Sequence, residues 1–203
     1  MNEIDELNTI NNLKELTKLD KNITRLYLGY DFNEKIRISN NITHLIFDID
    51  CMFDKKIKIS QNITHIIFNT NFTQKIKITQ NITHLTFGFG YDKKIKILCN
   101  ITHVTFKYFN QKIKLPQSIT HLSIGECFNQ KIKISQNITH LTFGHAFNQK
   151  IKIPQNITHI TQTTYDGNLN KIIKTPTHIH KRMVDCDERL YEINEDEDEE
   201  EDE

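Results

Sequence analysis

Residues 137–155 read Asn-Ile-Thr-His-Leu-Thr-Phe-Gly-His-Ala-Phe-Asn-Gln-Lys-Ile-Lys-Ile-Pro-Gln, and this stretch decides the fold because it recurs along the chain. Ile-Thr-His, with Arg for His in the first copy, begins at Ile23, Ile42, Ile63, Ile82, Ile101, Ile119, Ile138 and Ile157. The steps between these starts are nearly constant, the second being the longest and the fifth the shortest. Eight units thus follow one another with no linker between them, which is the mark of a stacked repeat architecture.

Within the quoted unit Ile138, Leu141, Phe143, Phe147, Ile151 and Ile153 are apolar, and their equivalents are apolar in nearly every other unit. Ile138, Leu141 and Phe143 have the spacing LxxLxL, which resembles that of a leucine-rich repeat, where the central alternation is a short strand. Side chains alternate across a strand, so His140 and Thr142 share the outward face. Lys150-Ile151-Lys152-Ile153 alternates in the same way and predicts a second extended segment, isoleucines inward and lysines outward. So short a unit has no room for a long helix beside two such segments. The expected fold is therefore all-β: a leucine-rich-repeat-like parallel β-solenoid of about eight 19-residue coils, a slab about 40 Å long at the usual strand spacing. Each coil buries only half a core, so its neighbours supply the rest.

Both ends of such a stack need closing. Residues 1–21 carry Ile4, Leu7, Ile10, Leu13, Leu16 and Leu19 at helix-like spacing, which predicts a short helical N-terminal cap. Repeats occupy residues 22–183. Gln162 replaces the strand phenylalanine of the last unit, and a polar residue in a core column implies that the stack stops there. Residues 184–203 hold thirteen acids and one base, ending in nine consecutive acids, Glu195 to Glu203, and are expected to be a disordered acidic tail.

Phe32-Asn33, Phe109-Asn110, Phe128-Asn129 and Phe147-Asn148, followed by a Lys-Ile-Lys alternation and in two units by Pro116 or Pro154, make the unit resemble the FNIP repeat over about residues 22–176. Lys112, Lys131 and Lys150 stand where that family often has proline after Phe-Asn-Gln. The resemblance implies a leucine-rich-repeat-like interaction module. The family often links its repeats to an F-box; the residues before Asn22 are too few for that helix bundle, so an adaptor role in ubiquitin ligation is not implied.

Two outward columns are the candidate sites. His44, His65, His84, His103, His121, His140 and His159 form one file headed by Arg25, joined on the same face by Thr86, Thr105 and Thr142. Stacked at strand spacing, these imidazoles disfavour one another's protonation, so acidification through about pH 6 is expected to weaken the solenoid. The file reads as a structural ladder and protein-binding face. A metal site needs ligands converging from several directions, and no metal or other cofactor is expected. The second file is basic, with two members in each coil: Lys35 and Arg37, Lys56 and Lys58, Lys75 and Lys77, Lys94 and Lys96, Lys112 and Lys114, Lys131 and Lys133, Lys150 and Lys152. It reads as a solvated face that keeps the stack soluble, as a dock for the acidic tail or an acidic protein, or as a polyanion site. Nucleic acid is the least favoured of these, because no aromatic stacking platform accompanies the lysines.

Composition bounds the function. Apolar residues are 37% of the 203, few for a thick core, and 26 Lys+Arg balance 26 Asp+Glu. The balance hides a segregation: residues 1–183 keep 25 bases and 13 acids, a formal +12. No apolar run is long enough to span a membrane and the first residues are acidic, so the expected location is cytoplasmic. Cys51, Cys99, Cys127 and Cys186 form no CxxC pair and read as free thiols. The Asn-Ile-Thr sequons arise from the repeat, and their asparagines are expected to bond turn backbone. No nucleophile elbow, Walker loop or HExxH occurs, and repetition opposes the convergence of unlike groups that catalysis needs. The expected function is a non-enzymatic scaffold for an unknown protein; the alternative is polyanion binding regulated by the tail.

Overall fold

The computed structural model describes residues 9–16, 22–68, 71–163, 180–184 and 190–192, the last two segments by their backbone alone. Along the chain lie β1 (Thr9–Ile10), α1 (Leu13–Leu16), β2 (Arg25–Leu28), β3 (His44–Phe47), β4 (His65–Ile67), β5 (His84–Phe87), β6 (His103–Phe106), β7 (His121–Ile124), β8 (His140–Phe143), β9 (His159–Thr163), β10 (His180–Val184) and β11 (Leu190–Glu192). They form one sheet in sequence order, β1 to β11. Every neighbouring pair from β1 to β10 is parallel, and β10 meets β11 antiparallel. The chain is a leucine-rich-repeat-like β-solenoid, with almost no helix among the described residues.

The register follows the repeat. His84 pairs with His103, Leu85 with Val104 and Phe87 with Phe106. The burial of β3, β5, β6, β7 and β8 alternates half-buried and buried, as an outward/inward strand requires. The inward columns form one continuous core from Ile10 to Ile160. Two files of rings run through it: Phe68, Phe87 and Phe106 stack at 5.3 and 5.6 Å, and where a coil has both aromatics the second closes on the first, Phe87 on Tyr91 at 4.1 Å and Phe143 on Phe147 at 4.1 Å. Such offset contacts add to the area that the rings bury.

The turns pack as tightly as the strands. A Cβ added at Gly144 would lie 2.4 Å from the Gly125 carbonyl carbon, and one at Gly125 would lie 2.0 Å from the Lys107 oxygen. Glycine here is what lets successive turns touch. The Asn of Phe-Asn-Gln has a job that its pattern does not announce. The Asn129 side-chain oxygen accepts from the Asn148 N–H at 3.2 Å and from Gln149 Nε2 at 2.9 Å in the next coil, and Asn110 serves Asn129 and Gln130 in the same way. Asp92 and Asp54 fill that position in earlier coils.

Four features depart from the sequence-based expectation. Lys150–Ile153 and its equivalents are extended but form no ladder, so the described coils share one sheet rather than two. At the N-terminus the helix is a single turn, and Thr9–Ile10 adds a strand that pairs with Tyr27 and Leu28. Gln162 does not end the stack: β9 runs through it to Thr163, and β10 pairs beyond it with Met183 opposite Gln162. Finally, Leu190–Glu192, within the stretch expected to be disordered, forms β11. Glu195 to Glu203 lie outside the described residues, as do the N-terminal residues 1–8.

Candidate functional site

The strand face carries the histidine file in the expected register. Ring centroids from His44 through His65, His84, His103, His121 and His140 to His159 are 4.0 to 4.3 Å apart, with interplanar angles of 7 to 16°. The residue before each histidine explains how so regular a stack is held. The backbone N–H groups of Thr120 and His121 both donate to the Thr102 carbonyl oxygen, at 2.9 and 3.1 Å, and the same fork recurs in every coil from Thr43 to His159. The Thr120 hydroxyl also donates to that carbonyl at 3.3 Å, while its oxygen lies 2.9 Å from His121 Nδ1. Hydroxyl and imidazole are linked at Nδ1, and this link holds the ring in its place in the stack.

Charge is unwelcome in this file. Partial burial, then the charges of neighbouring histidines, push His65, His84, His103, His121 and His140 below the ordinary imidazole value of 6.5. His44 is lowered by burial and next by Arg25 at the head of the file. His180, in β10, takes the register position after His159 and extends the file by one place; sequence reading missed it. The signal was present, since His180 follows His159 at the same offset by which His65 follows His44.

Beside the histidines runs a second outward column: Tyr27, Ile46, Ile67, Thr86, Thr105, Ser123, Thr142 and Thr161, paired strand to strand. It changes from apolar to hydroxyl between Ile67 and Thr86. Where Ser123 lacks the threonine methyl, His103, Thr105, His121, His140 and Thr142 surround a shallow hollow of about 270 Å³.

The basic file lies on the opposite side of each coil. All fourteen lysines and arginines, from Lys35 and Arg37 to Lys150 and Lys152, are exposed, while the isoleucines between them point inward. In mid-file, Lys75 and Lys77 flank the inward Ile76, and Lys94 and Lys96 flank Ile95 in the next coil. These lysines have no strand ladder beneath them, so the file is a row of side chains on extended backbone and not the face of a second sheet. Between the first two coils this side opens into a groove of about 630 Å³ lined by Arg37, Asn40, Lys58, Gln61 and Asn62 among others.

Asparagines of the Asn-Ile-Thr tripeptides bond backbone, but across coils rather than within their own turns: Asn137 Nδ2 donates to the Gln117 carbonyl at 2.8 Å, and Asn62 and Asn100 donate to Asn40 and Gln80. Cys51 is buried, with its thiol pushed up to about 11 chiefly by burial; Cys99 is exposed and Cys127 half-buried, and none of the three is in a disulfide. Cys186 lies outside the described residues. Among the described residues no group of His, Cys, Asp and Glu is arranged to hold a metal ion, and no helix is long and apolar enough to cross a membrane.

No curated protein sequence matches the chain. Among solved structures it is similar to CroV588 of a giant virus, described as a novel circular LRR protein, with 30% identity and a TM-score of 0.63 over 86% of this chain. The match spans 32% of the CroV588 chain. Residues 100–127 and 128–161 match the model of the FNIP Repeat family, and the same register of outward His and inward Leu or Ile continues through the coils before them, so the chain carries FNIP repeats at residues 100–161.

Proposed function

We propose that the solenoid is a non-enzymatic scaffold that binds a protein through its outward His/Thr face. FNIP repeats and leucine-rich-repeat-like solenoids are scaffold types that typically serve protein interaction. The observation that carries the choice of face is the ladder itself. Rings 4.0 to 4.3 Å apart, each tied at Nδ1, form an ordered row beside a row of hydroxyls. Rows of this kind are pre-ordered before a partner arrives, so little conformational entropy is lost on binding. The opposite side, with its long exposed lysines, loses more.

The test is affinity purification from the host cell with three full-length chains: wild type, Thr105→Arg with Thr142→Arg, and Lys114→Glu with Lys133→Glu. The reading requires a partner that is lost with the first pair and kept with the second. The reverse pattern favours the second reading, polyanion binding by the exposed basic file, which in turn requires salt-dependent retention on heparin.

A further inference from the structure

The outward face is not uniform, and its first three coils differ in kind from the rest. Ile67, 41% exposed, stands in the outward column with half-buried Tyr27 and Ile46, and Tyr30, Ile49 and Met52, 58, 53 and 49% exposed, lie in the turns that follow β2 and β3. From β5 to β9 that column carries only threonine and serine. Phe89 and Tyr108, also exposed, lie further along the turn edge and pack on each other at 6.4 Å. Large side chains gathered on one part of a small protein's surface mark an interaction site.

Charges on the two flanks of this patch identify what covers it. Arg25, at the start of β2, is exposed on one flank; Asp31, Asp48 and Asp50 follow the ends of β2 and β3 on the other. A two-fold axis lying between two facing sheets and parallel to the stacking direction reverses the strands and preserves the order of the coils. It sets each Arg25 against the other copy's acids, with the apolar side chains between them. A patch with opposite charges on its two flanks is complementary to itself under that one operation.

We infer that the outward face of β2–β4 is the interface of a two-fold dimer, occupied by a second copy of this chain. The dimer covers the apolar coils and leaves the hydroxyl-bearing face of β5–β9 open on both copies. It does not depend on the protein-binding reading above, since it rests on a different part of the face and is read by a different measurement.

Sedimentation velocity of the full chain, loaded up to about 100 µM, tests it, a range that captures Kd values well into the micromolar. A dimer is expected whose Kd rises about tenfold or more in Ile67→Asp, and likewise in Arg25→Glu and in Asp50→Arg taken singly. Combining Arg25→Glu with Asp50→Arg is expected to recover most of the loss. These side chains lie on the surface, and far-ultraviolet circular dichroism checks that each variant is folded. Thr142→Lys, on the same face five coils away from β3, is expected to leave the dimer intact. A wild type that stays monomeric, a dimer unaffected by Ile67→Asp, or one dispersed by salt alone and so held by the lysines and acidic tail, overturns the inference.

Discussion

Each coil contains two extended segments with the same alternation, and they have different fates. His-Leu-Thr-Phe becomes a strand bonded to both neighbours, whereas Lys-Ile-Lys-Ile stays extended without a ladder. Both point a branched or aromatic residue inward, so hydrophobic pattern does not separate them. The outward residue does. Neutral imidazoles tolerate ring centroids 4.0 Å apart, while two ammonium groups about 5 Å apart repel by about 0.8 kcal/mol even in bulk water. The inward residues differ too: Phe106 and Val104 are 1 and 2% exposed, but Ile113, behind them in the same coil, is only partly buried. One side of the solenoid is a hydrogen-bonded sheet, and the other is a wrapping held by its isoleucines.

The largest test of that contrast is truncation on either side of one coil. Phe106→Ala is expected to cost about 3–5 kcal/mol in urea unfolding, and Ile113→Ala about 1 kcal/mol. Equal losses would mean that the two sides share the load.

Acidification should act on one side alone. The file histidines have folded-state values below 6.5, the unfolded reference, so the unfolded chain binds more protons as pH falls. The stability they contribute is complete above pH 6.5 and is lost as pH drops through their lowered values. Melting temperature should therefore fall between pH 7.5 and 5.5, and replacing His84, His103 and His121 by Gln should flatten the profile.

Gln162 offers a smaller effect. It is 1% exposed in the column that continues from Phe143, and its Oε1 has no partner among the described residues. Gln162→Leu is expected to raise stability by about 1–2 kcal/mol, read from the urea midpoint. Next, Asn129→Ala removes the acceptor of two bonds and should cost about 1 kcal/mol, while Asn129→Asp should stay near wild type because Asp92 makes the equivalent bonds two coils earlier. Smallest of all, Lys131→Glu should shift stability by only a few tenths of a kcal/mol, since exposed charges are well screened.

What could be read from the residues was whatever depends on period. The columns, the inward Leu and Phe, the outward His and Thr and the cross-coil pairing all follow from the spacing of Ile-Thr-His. Features that depend on backbone bonding were not legible. Lys77 and Lys96 were read as outward residues of a second strand; they do face outward, but their alternation says nothing of whether the backbone beneath them finds partners. Gln162 was read as a terminus because a polar side chain offends the core, yet the ladder is built from N–H and C=O groups, which Gln supplies as well as Phe does. For the same reason β10 was missed beyond Gln162, and β11 in a stretch judged by its charge. The asparagine of Phe-Asn-Gln looked like a family signature, and only coordinates show its oxygen bonded to the following coil. As to the candidate site, the histidine file was visible as a column, while spacing alone does not show that the threonine before each ring is bonded to its Nδ1.

Near-identical coils create a counting problem. A growing stack in which every His-Leu-Thr-Phe fits against every other could dock one coil too far along and still satisfy most of its bonds. The long unit that begins at Ile42, and the short unit that begins at Ile101, break this translational symmetry. They act as vernier marks: only one alignment accommodates both, and the chain that carries them can tell where along itself it is.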